Sequence, residues 1–135
     1  MIKTFEAKDY MSKTIVRFDA DMEIQTAMNL MLEKNVPAGP VFDNLGNLVG
    51  VLTEKDCLKA ALDASYYEEL GGRVAEFMAS DVVTVDADDN IVDVAREFVR
   101  LPHRYFPVMK RSRLVGHISR RDVLRALAEL RDRQA

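Results

Sequence analysis

The stretches LVGVLTEKD (residues 48–56) and LVGHISRRD (residues 114–122) state nearly the same pattern twice in one chain. In both, Leu-Val-Gly leads through two residues to a hydroxyl residue, two further residues and an aspartate. Farther out, YMSKTIVRFDADMEI (10–24) aligns with FMASDVVTVDADDNI (77–91), and Pro40-Val41 aligns with Pro107-Val108. Because the matches keep the same order along nearly all of the 135 residues, the sequence predicts two copies of one structural unit.

Each copy is predicted to fold as β-α-β-β-α. Runs of β-branched residues favour strands, apolar residues three or four positions apart favour helices, and a proline marks where each helix stops. For the two copies in turn, the predicted elements are strands at Thr14–Phe18 and Val82–Val85, helices from Ile24 to before Pro37 and from Ile91 to before Pro102, strands at Gly39–Phe42 and Tyr105–Val108, strands at Leu48–Leu52 and Leu114–Ile118, and closing helices after Thr53 and Ser119.

The predicted fold class is therefore α/β, of the α+β kind, with two β-α-β-β-α repeats packed about a pseudo-twofold axis. Two units are too few for a solenoid, so a pair that buries its sheets and helices together fits better. The predicted boundaries are residues 8–62 for repeat 1, 63–76 for a linker, 77–130 for repeat 2 and 131–135 for a tail. Gly71-Gly72 is the predicted break within the linker.

The composition limits the class of protein. Hydrophobic residues make up 48% and charged residues 30% of the chain, as in soluble globular domains. No apolar run approaches the roughly 20 residues of a membrane helix, and the start, MIKTFEAKDYM, lacks the apolar core of a signal peptide. The single cysteine, Cys57, excludes an intramolecular disulfide and a multi-cysteine metal site. We expect a cytoplasmic protein without a membrane partner.

Charge is divided unevenly along the chain. Residues 1–95 carry 8 Lys/Arg and 18 Asp/Glu, whereas residues 96–135 carry 11 and 4. A basic segment attracts an anion, whether a nucleotide, a nucleic acid or an acidic partner, or it neutralises the acidic part of the same chain. We do not expect a nucleic-acid partner, because the basic C-terminal helix also contains acids.

The doubled motif has two interpretations. Thr53 with Asp56, and Ser119 with Asp122, have the spacing of a capping box, in which hydroxyl and carboxylate bond the free backbone N–H groups of a helix start. The same helix start also suits a phosphate, and a carboxylate there can accept hydrogen bonds from ribose hydroxyls. The glycines of the motif either allow a ligand to approach the backbone or serve strand packing. The residues alone leave both interpretations open.

These motifs resemble the tandem pair of cystathionine-β-synthase (CBS) domains known as a Bateman module. The resemblance covers about residues 8–130 and rests on Met11 and Met78 before the first strands, the repeated Asp-Ala-Asp, the Pro-Val strands, and the endings GVLTEKD and GHISRRD. It implies a free-standing regulatory module that binds AMP, ADP, ATP or S-adenosylmethionine in a cleft between the repeats. It also implies a homodimer that acts on an unknown partner protein and requires no other cofactor.

The resemblance further implies two ligand clefts. Asp122 and Asp56 would bind ribose. The phosphate-side residues would be Ser119, Arg120, Arg121, Arg104, Thr53 and Lys55. The adenine pockets would be lined by Met11, Ile15, Val16, Val36 and Pro37 in the cleft with Asp122, and by Met78, Val82, Val83 and His103 in the cleft with Asp56. We favour the Asp122 cleft for a phosphorylated ligand, because it has Arg104 and Arg120-Arg121 where the first copy has Pro37 and Glu54-Lys55.

Other functions have weaker support. His103 and His117 lack the spacing of a metal pair, and no nucleophile triad, P-loop or dinucleotide motif is present, so we expect neither catalytic residues, a metal nor an enzyme. Cys57 is either a packed core residue or a thiol whose pKa a helix start lowers. The main alternative is a structural or protein-interaction module in which the repeated motifs only cap helices.

Overall fold

The computed structural model describes residues 5–67 and 71–134. It confirms the mixed α/β class and the predicted order of elements, with one additional short helix before each copy. The elements are α1 (Ala7–Tyr10), β1 (Phe18–Asp19), α2 (Ile24–Lys34), β2 (Ala38–Phe42), β3 (Leu48–Thr53), α3 (Glu54–Tyr67), α4 (Val74–Phe77), β4 (Val85–Asp86), α5 (Ile91–Arg100), β5 (Tyr105–Lys110), β6 (Arg113–Ser119) and α6 (Arg120–Gln134).

The chain forms two compact units, and one of them is discontinuous. Unit 1 comprises Met1–Thr14 and Val83–Ala135, and unit 2 comprises Ile15–Val82. Each has a three-stranded sheet, ordered β4-β5-β6 in unit 1 and β1-β2-β3 in unit 2, with the first pair parallel and the second antiparallel. The segment before each first strand thus packs with the other copy of the repeat, because α1 belongs to unit 1 and α4 to unit 2.

The first strand of each copy is shorter than predicted. Strands at Thr14–Phe18 and Val82–Val85 were wrong for all but their last residues, since β1 begins at Phe18 and β4 at Val85. In the observed parallel register, Phe18 lies opposite Val41, so two residues earlier the carbonyl of Val16 would need the N–H of residue 40. Residue 40 is proline, which has no N–H, and Pro107 ends the second ladder in the same way.

The helices end where the sequence predicts. α2 stops at Lys34, and Asn35 follows with a left-handed φ of 54°, its N–H donating to the carbonyls of Leu32 and Met31. α5 stops at Arg100, two residues before Pro102. In the second copy the strands turn through Arg111 and Ser112, both at positive φ, a tight turn that matches the twist of a hairpin.

The two cores place one phenylalanine differently. In unit 2 the fully buried Phe18 on β1 covers Gly39 on β2: a Cβ atom at Gly39 would contact the Val16 carbonyl oxygen and lie 2.5 Å from Phe18 Cε2. At the equivalent positions unit 1 has Val85 and Phe106, and the ring of Phe106 is fully buried. Unit 2 therefore has its aromatic residue on the first strand and its smaller residue on the second, and unit 1 has the reverse arrangement.

The segment 63–76, predicted as a linker, contains regular structure. α3 continues to Tyr67 and α4 begins at Val74, while residues 68–70 lie outside the described part of the chain. The predicted break lies between these helices, where Gly72 has a φ of 111° that favours glycine.

Candidate functional site

Both repeated hydroxyl–aspartate pairs form complete capping boxes. The N–H and hydroxyl of Thr53 both donate to Asp56 Oδ2 at 2.9 Å, and the Asp56 N–H donates to Thr53 Oγ1 at 3.2 Å. At the start of α6, Ser119 N–H and hydroxyl donate to Asp122 Oδ2 at 2.9 and 3.0 Å, and the Asp122 N–H donates back at 3.3 Å. The motif therefore orders each helix start without any ligand.

Asp122 has a second partner, for which the described residues show no counterpart at Asp56. Arg125 Nη2 donates to Asp122 Oδ1 at 3.2 Å and to the carbonyl of Tyr10 in α1 at 3.3 Å. The Tyr10 hydroxyl in turn donates to Glu129 at 2.6 Å. Arg125 thus joins the carboxylate predicted to bind ribose to the N-terminal helix of unit 1.

The basic residues of the second copy differ in what they contact. The guanidinium of Arg120 donates from Nε to the His103 carbonyl at 3.2 Å and from Nη2 to the Pro102 carbonyl at 3.3 Å. The Arg120 N–H also donates to the Arg104 carbonyl at 3.3 Å, which fixes the loop before β5 against the start of α6. Arg104 and Arg121 are exposed on the same unit. In unit 2, Lys55 is likewise exposed.

The glycines of the repeated motif are explained by packing within each unit. A Cβ atom at Gly116 would lie 2.6 Å from Met11 Sδ and 2.7 Å from the Ser12 carbonyl oxygen. Ser12 and His117 exchange two backbone hydrogen bonds of 2.8 and 2.9 Å, which hold that segment in place. In unit 2, Gly50 makes room for Met78 and the Ala79 carbonyl in the same way.

The other predicted pocket residues are divided between the units. Among the residues predicted to line the Asp122 cleft, Met11 belongs to unit 1, as Asp122 does, and the others belong to unit 2. Among those predicted to line the Asp56 cleft, Met78 and Val82 belong to unit 2, as Asp56 does. Among these pocket residues Pro37 is exposed. The half-buried ones are Met11, Ile15, Val16, Val36, Met78, Val82, Val83 and His103. Both predicted clefts draw on both units, so their assembly stays a prediction.

Two polar residues on the β5–β6 sheet were not assigned to the site by the sequence. Tyr105 and His117 have ring centroids 4.8 Å apart. His117 Nε2 lies 3.1 Å from the Thr14 carbonyl oxygen. Burial raises the pKa of Tyr105 and lowers that of His117. The sequence offered one signal for them, a histidine between apolar residues in the middle of a strand.

The half-buried His117 makes the stability of the chain depend on pH. Burial lowers its pKa below 6.5, against the opposing effects of the Thr14 hydrogen bond and the Asp122 charge. Below about pH 6.5 the unfolded chain takes up a proton that the folded chain resists, so the free energy of unfolding falls as the pH falls. Hydrogen bonds from Asn47 and Lys8 hold the pKa values of Asp43 and Asp88 below 3.8, outside this range.

We expect urea unfolding between pH 8 and pH 5 to show this loss in the wild type and a smaller loss in His117→Val. Valine is the residue at the equivalent position of the first copy, Val51. The same dependence on pH in both proteins would show that His117 is not its source.

Other reactive groups do not form a second site in the described residues. Burial, together with the charges of Asp56 and Glu54, raises the pKa of the Cys57 thiol to about 11, so the suggestion of a lowered pKa was wrong. Within residues 5–67 and 71–134, no three His, Cys, Asp or Glu side chains are placed to hold a metal ion. An open pocket of about 450 Å³ contains none of the predicted site residues and is lined by Arg17, Asp19, Ala20, Asp21, Phe42, Asp43, Asn44 and Gly46.

Comparison with known families identifies the repeat. The sequence model of the CBS domain matches twice, at residues 7–63 and 74–129. The chain belongs to the CBS-domain family. CBS-domain pairs are regulatory rather than catalytic modules.

Three archaeal relatives of this CBS-domain chain are longer than it is. An uncharacterized protein of Methanocaldococcus jannaschii, MJ1225, is 28% identical over 89% of this chain and 42% of its own length. A 17.7 kDa protein of Acidianus ambivalens is 30% identical over 84% of this chain and 68% of its own. A homoserine O-acetyltransferase of Methanococcoides burtonii is 31% identical over 88% of this chain but only 23% of its own length. This chain therefore spans less than half of several relatives that it matches.

Solved structures of CBS pairs share the fold. CBSX2 in complex with AMP is 26% identical, with a TM-score of 0.78 over 94% of this chain and 98% of the other. The CBS domain pair of protein MJ0100, in complex with 5-methylthioadenosine and S-adenosyl-L-methionine, is 25% identical with a TM-score of 0.75 over 90% and 98%. In the described part of this chain, no helix has the length and apolar character needed to cross a membrane.

Proposed function

We propose that this chain is a regulatory ligand-sensing module that binds an adenosine-containing ligand at the start of α6 in unit 1. The proposal rests on the position of Asp122. Ser119 and Arg125 hold its carboxylate beside the loop that contains Arg104. In this position Asp122 accepts hydrogen bonds from ribose hydroxyls. The AMP complex of CBSX2, a related CBS pair, supports the class of ligand.

The phosphate of an AMP or ATP ligand is bound by the basic residues of the same unit. Arg104 and Arg121 are exposed, so their guanidinium groups are available to an anion. Arg120 instead positions the loop, because its guanidinium already donates to two carbonyls of that loop. In unit 2 the residues equivalent to Arg104 and Arg120 are Pro37 and Glu54, which favours unit 1 for a phosphorylated ligand.

Ligand binding is coupled to the N-terminal helix through Arg125. A ligand that takes up Asp122 Oδ1 competes with Arg125 for that oxygen, and Arg125 also bonds the Tyr10 carbonyl of α1. A ligand shifts a conformational equilibrium only through such differential contacts. The occupancy of the site thereby reaches a surface that a cytoplasmic partner protein can recognise.

Isothermal titration with AMP, ADP, ATP, S-adenosylmethionine and 5-methylthioadenosine tests this proposal. We expect saturable binding of at least one phosphorylated ligand, and weaker binding of it by Arg104→Ala, because a phosphate contact is lost. Arg113→Ala is a matched control, since Arg113 is also exposed in unit 1 but lies at the opposite end of β6 from Ser119. Flat titrations across the panel with folded protein would contradict the proposal.

A second function, a homodimerisation or protein-interaction module without a nucleotide, has one observation in its favour. Apolar side chains stand exposed at equivalent positions of both units, Leu32 with Val99 and Leu58 with Leu124, and are 63–88% exposed. The capping boxes are also complete without a ligand. On this proposal the exposed apolar positions lie at the interface of a dimer, and the flat titrations described above would favour it.

A further inference from the structure

The face of the β5–β6 sheet opposite the core of unit 1 holds two buried polar atoms that lack partners among the described residues. Tyr105 Oη and His117 Nδ1 are both inaccessible to solvent, and neither has a hydrogen-bond partner in the described residues. The opposite face of these strands carries Phe106 and Ile118, which are fully buried in the core of unit 1. Burying a polar atom without a partner costs free energy, so a pair of such atoms on one face requires an explanation.

The structure defines what each atom can offer. His117 Nε2 lies 3.1 Å from the Thr14 carbonyl oxygen, which only accepts, so Nε2 carries the proton. The lowered pKa keeps the imidazole neutral near pH 7, and Nδ1 is then an acceptor. Tyr105 is protonated and offers an O–H donor. The two side chains therefore present one acceptor and one donor, next to each other, to any occupant of this face.

This polar pair is confined to unit 1. The equivalent positions in unit 2 are Ala38 and Val51, neither of which has a polar side-chain atom. The surrounding backbone is nevertheless the same, because Val51 exchanges backbone hydrogen bonds with Ala79 as His117 does with Ser12. The repeat does not need the polar atoms in order to fold, so their presence in unit 1 calls for a ligand rather than a structural role.

We propose that Tyr105 and His117 recognise the heterocyclic base of the ligand, with His117 Nδ1 accepting from an amino group and the Tyr105 hydroxyl donating to an adjacent ring nitrogen. This inference rests on the proposed function. His117 lies two residues before Ser119 on β6, about 7 Å along the strand, so the pair contacts a different part of the ligand from the group at the start of α6. An amino group beside a ring nitrogen is the edge that adenine presents.

Titration of AMP into Tyr105→Phe tests the donor. We expect affinity to fall about fivefold, as for one lost hydrogen bond, while the melting temperature of the ligand-free protein stays equal or rises because an unpaired hydroxyl is removed. Thr26→Val is the control for a lost hydroxyl. Thr26 is exposed on α2 of unit 2, so its loss should leave AMP affinity unchanged. Unchanged AMP affinity in Tyr105→Phe, or a lower melting temperature without ligand, would overturn the inference.

The ¹⁵N resonances of the imidazoles test the acceptor without a change at Tyr105 or His117. The chain has two histidines, so the spectrum of a histidine-labelled sample has two imidazoles, which His103→Gln assigns. AMP is expected to shift His117 Nδ1 in the direction of an accepted hydrogen bond, and purine riboside 5′-monophosphate, which lacks the amino group, is not. Equal shifts with both nucleotides would overturn the base assignment. If the wild type binds no nucleotide, the proposed function is overturned as well. If AMP binds but the His117 Nδ1 resonance does not shift, only this inference is overturned.

Discussion

Replacing Gly39 with phenylalanine is expected to destabilise the chain by about 3 kcal/mol or more, and adding Phe18→Val is expected to recover part of that loss. A Cβ at residue 39 would already contact the Val16 carbonyl and lie 2.5 Å from the ring of the fully buried Phe18, so two rings cannot share the space. Unit 1 holds the reverse arrangement, Val85 with Phe106, within the same strand order. The double variant copies that arrangement into unit 2.

Urea unfolding of the wild type, both single variants and the double variant measures this coupling. Phe18→Val alone leaves a cavity and costs less than the ~3–5 kcal/mol typical of Phe→Ala. The double variant should be more stable than Gly39→Phe alone but less stable than the wild type, because Phe18→Val removes the overlap of the two rings and leaves the contact of the residue 39 Cβ with the Val16 carbonyl oxygen. Gly71→Ala controls for the loss of a glycine, because its Cβ would contact nothing within 4 Å. Additive losses in the double variant would contradict the exchange of volume between the two strands.

Asp122→Ala is expected to weaken AMP binding at least about 20-fold, because a carboxylate that accepts from ribose hydroxyls makes hydrogen bonds of about 1.5–3 kcal/mol. It should also lower the stability of the ligand-free protein by about 1 kcal/mol, the usual cost of a lost helix cap. Titration calorimetry and thermal unfolding measure the two effects separately.

Asp56→Ala is the matched control for this variant. Asp56 forms the same three hydrogen bonds with Thr53 at the start of α3, so its removal carries the same cost of a lost cap. AMP affinity should stay unchanged in Asp56→Ala. Wild-type AMP affinity in both variants would leave both aspartates as helix caps and contradict the proposed site in unit 1.

The sequence predicted most elements of the fold because their signals are local. The ends of α2 and α5 follow from Pro37 and Pro102, and the closing helices follow from the hydroxyl–aspartate caps. The first strands were predicted too long because β-branched residues indicate only a local preference for strand conformation. The parallel hydrogen-bond ladder also needs backbone N–H groups, which Pro40 and Pro107 lack. The four-residue helices α1 and α4 are too short for any apolar period.

The site was predicted only in part, because the sequence shows local patterns and not contacts between distant residues. The spacing of Ser119 and Asp122 fixes their mutual geometry, so the capping box was foreseeable. Partners from distant parts of the chain were not, since no local pattern brings Arg125 to the Tyr10 carbonyl or Met11 to Gly116. Arg120 looked like a phosphate ligand by charge alone, but the carbonyls of Pro102 and His103 occupy its guanidinium.

The discontinuity of unit 1 also sets the order in which the chain can fold during synthesis. Unit 2 is continuous, from Ile15 to Val82, so all its strands are synthesised before β4. The buried side chains of α1, Ala7 and Tyr10, must wait for α5 and α6. Their contacts close a loop as long as unit 2, and an already compact unit 2 shortens the free chain that this closure must restrict. Folding of the early-made unit therefore makes the late-made unit easier to complete.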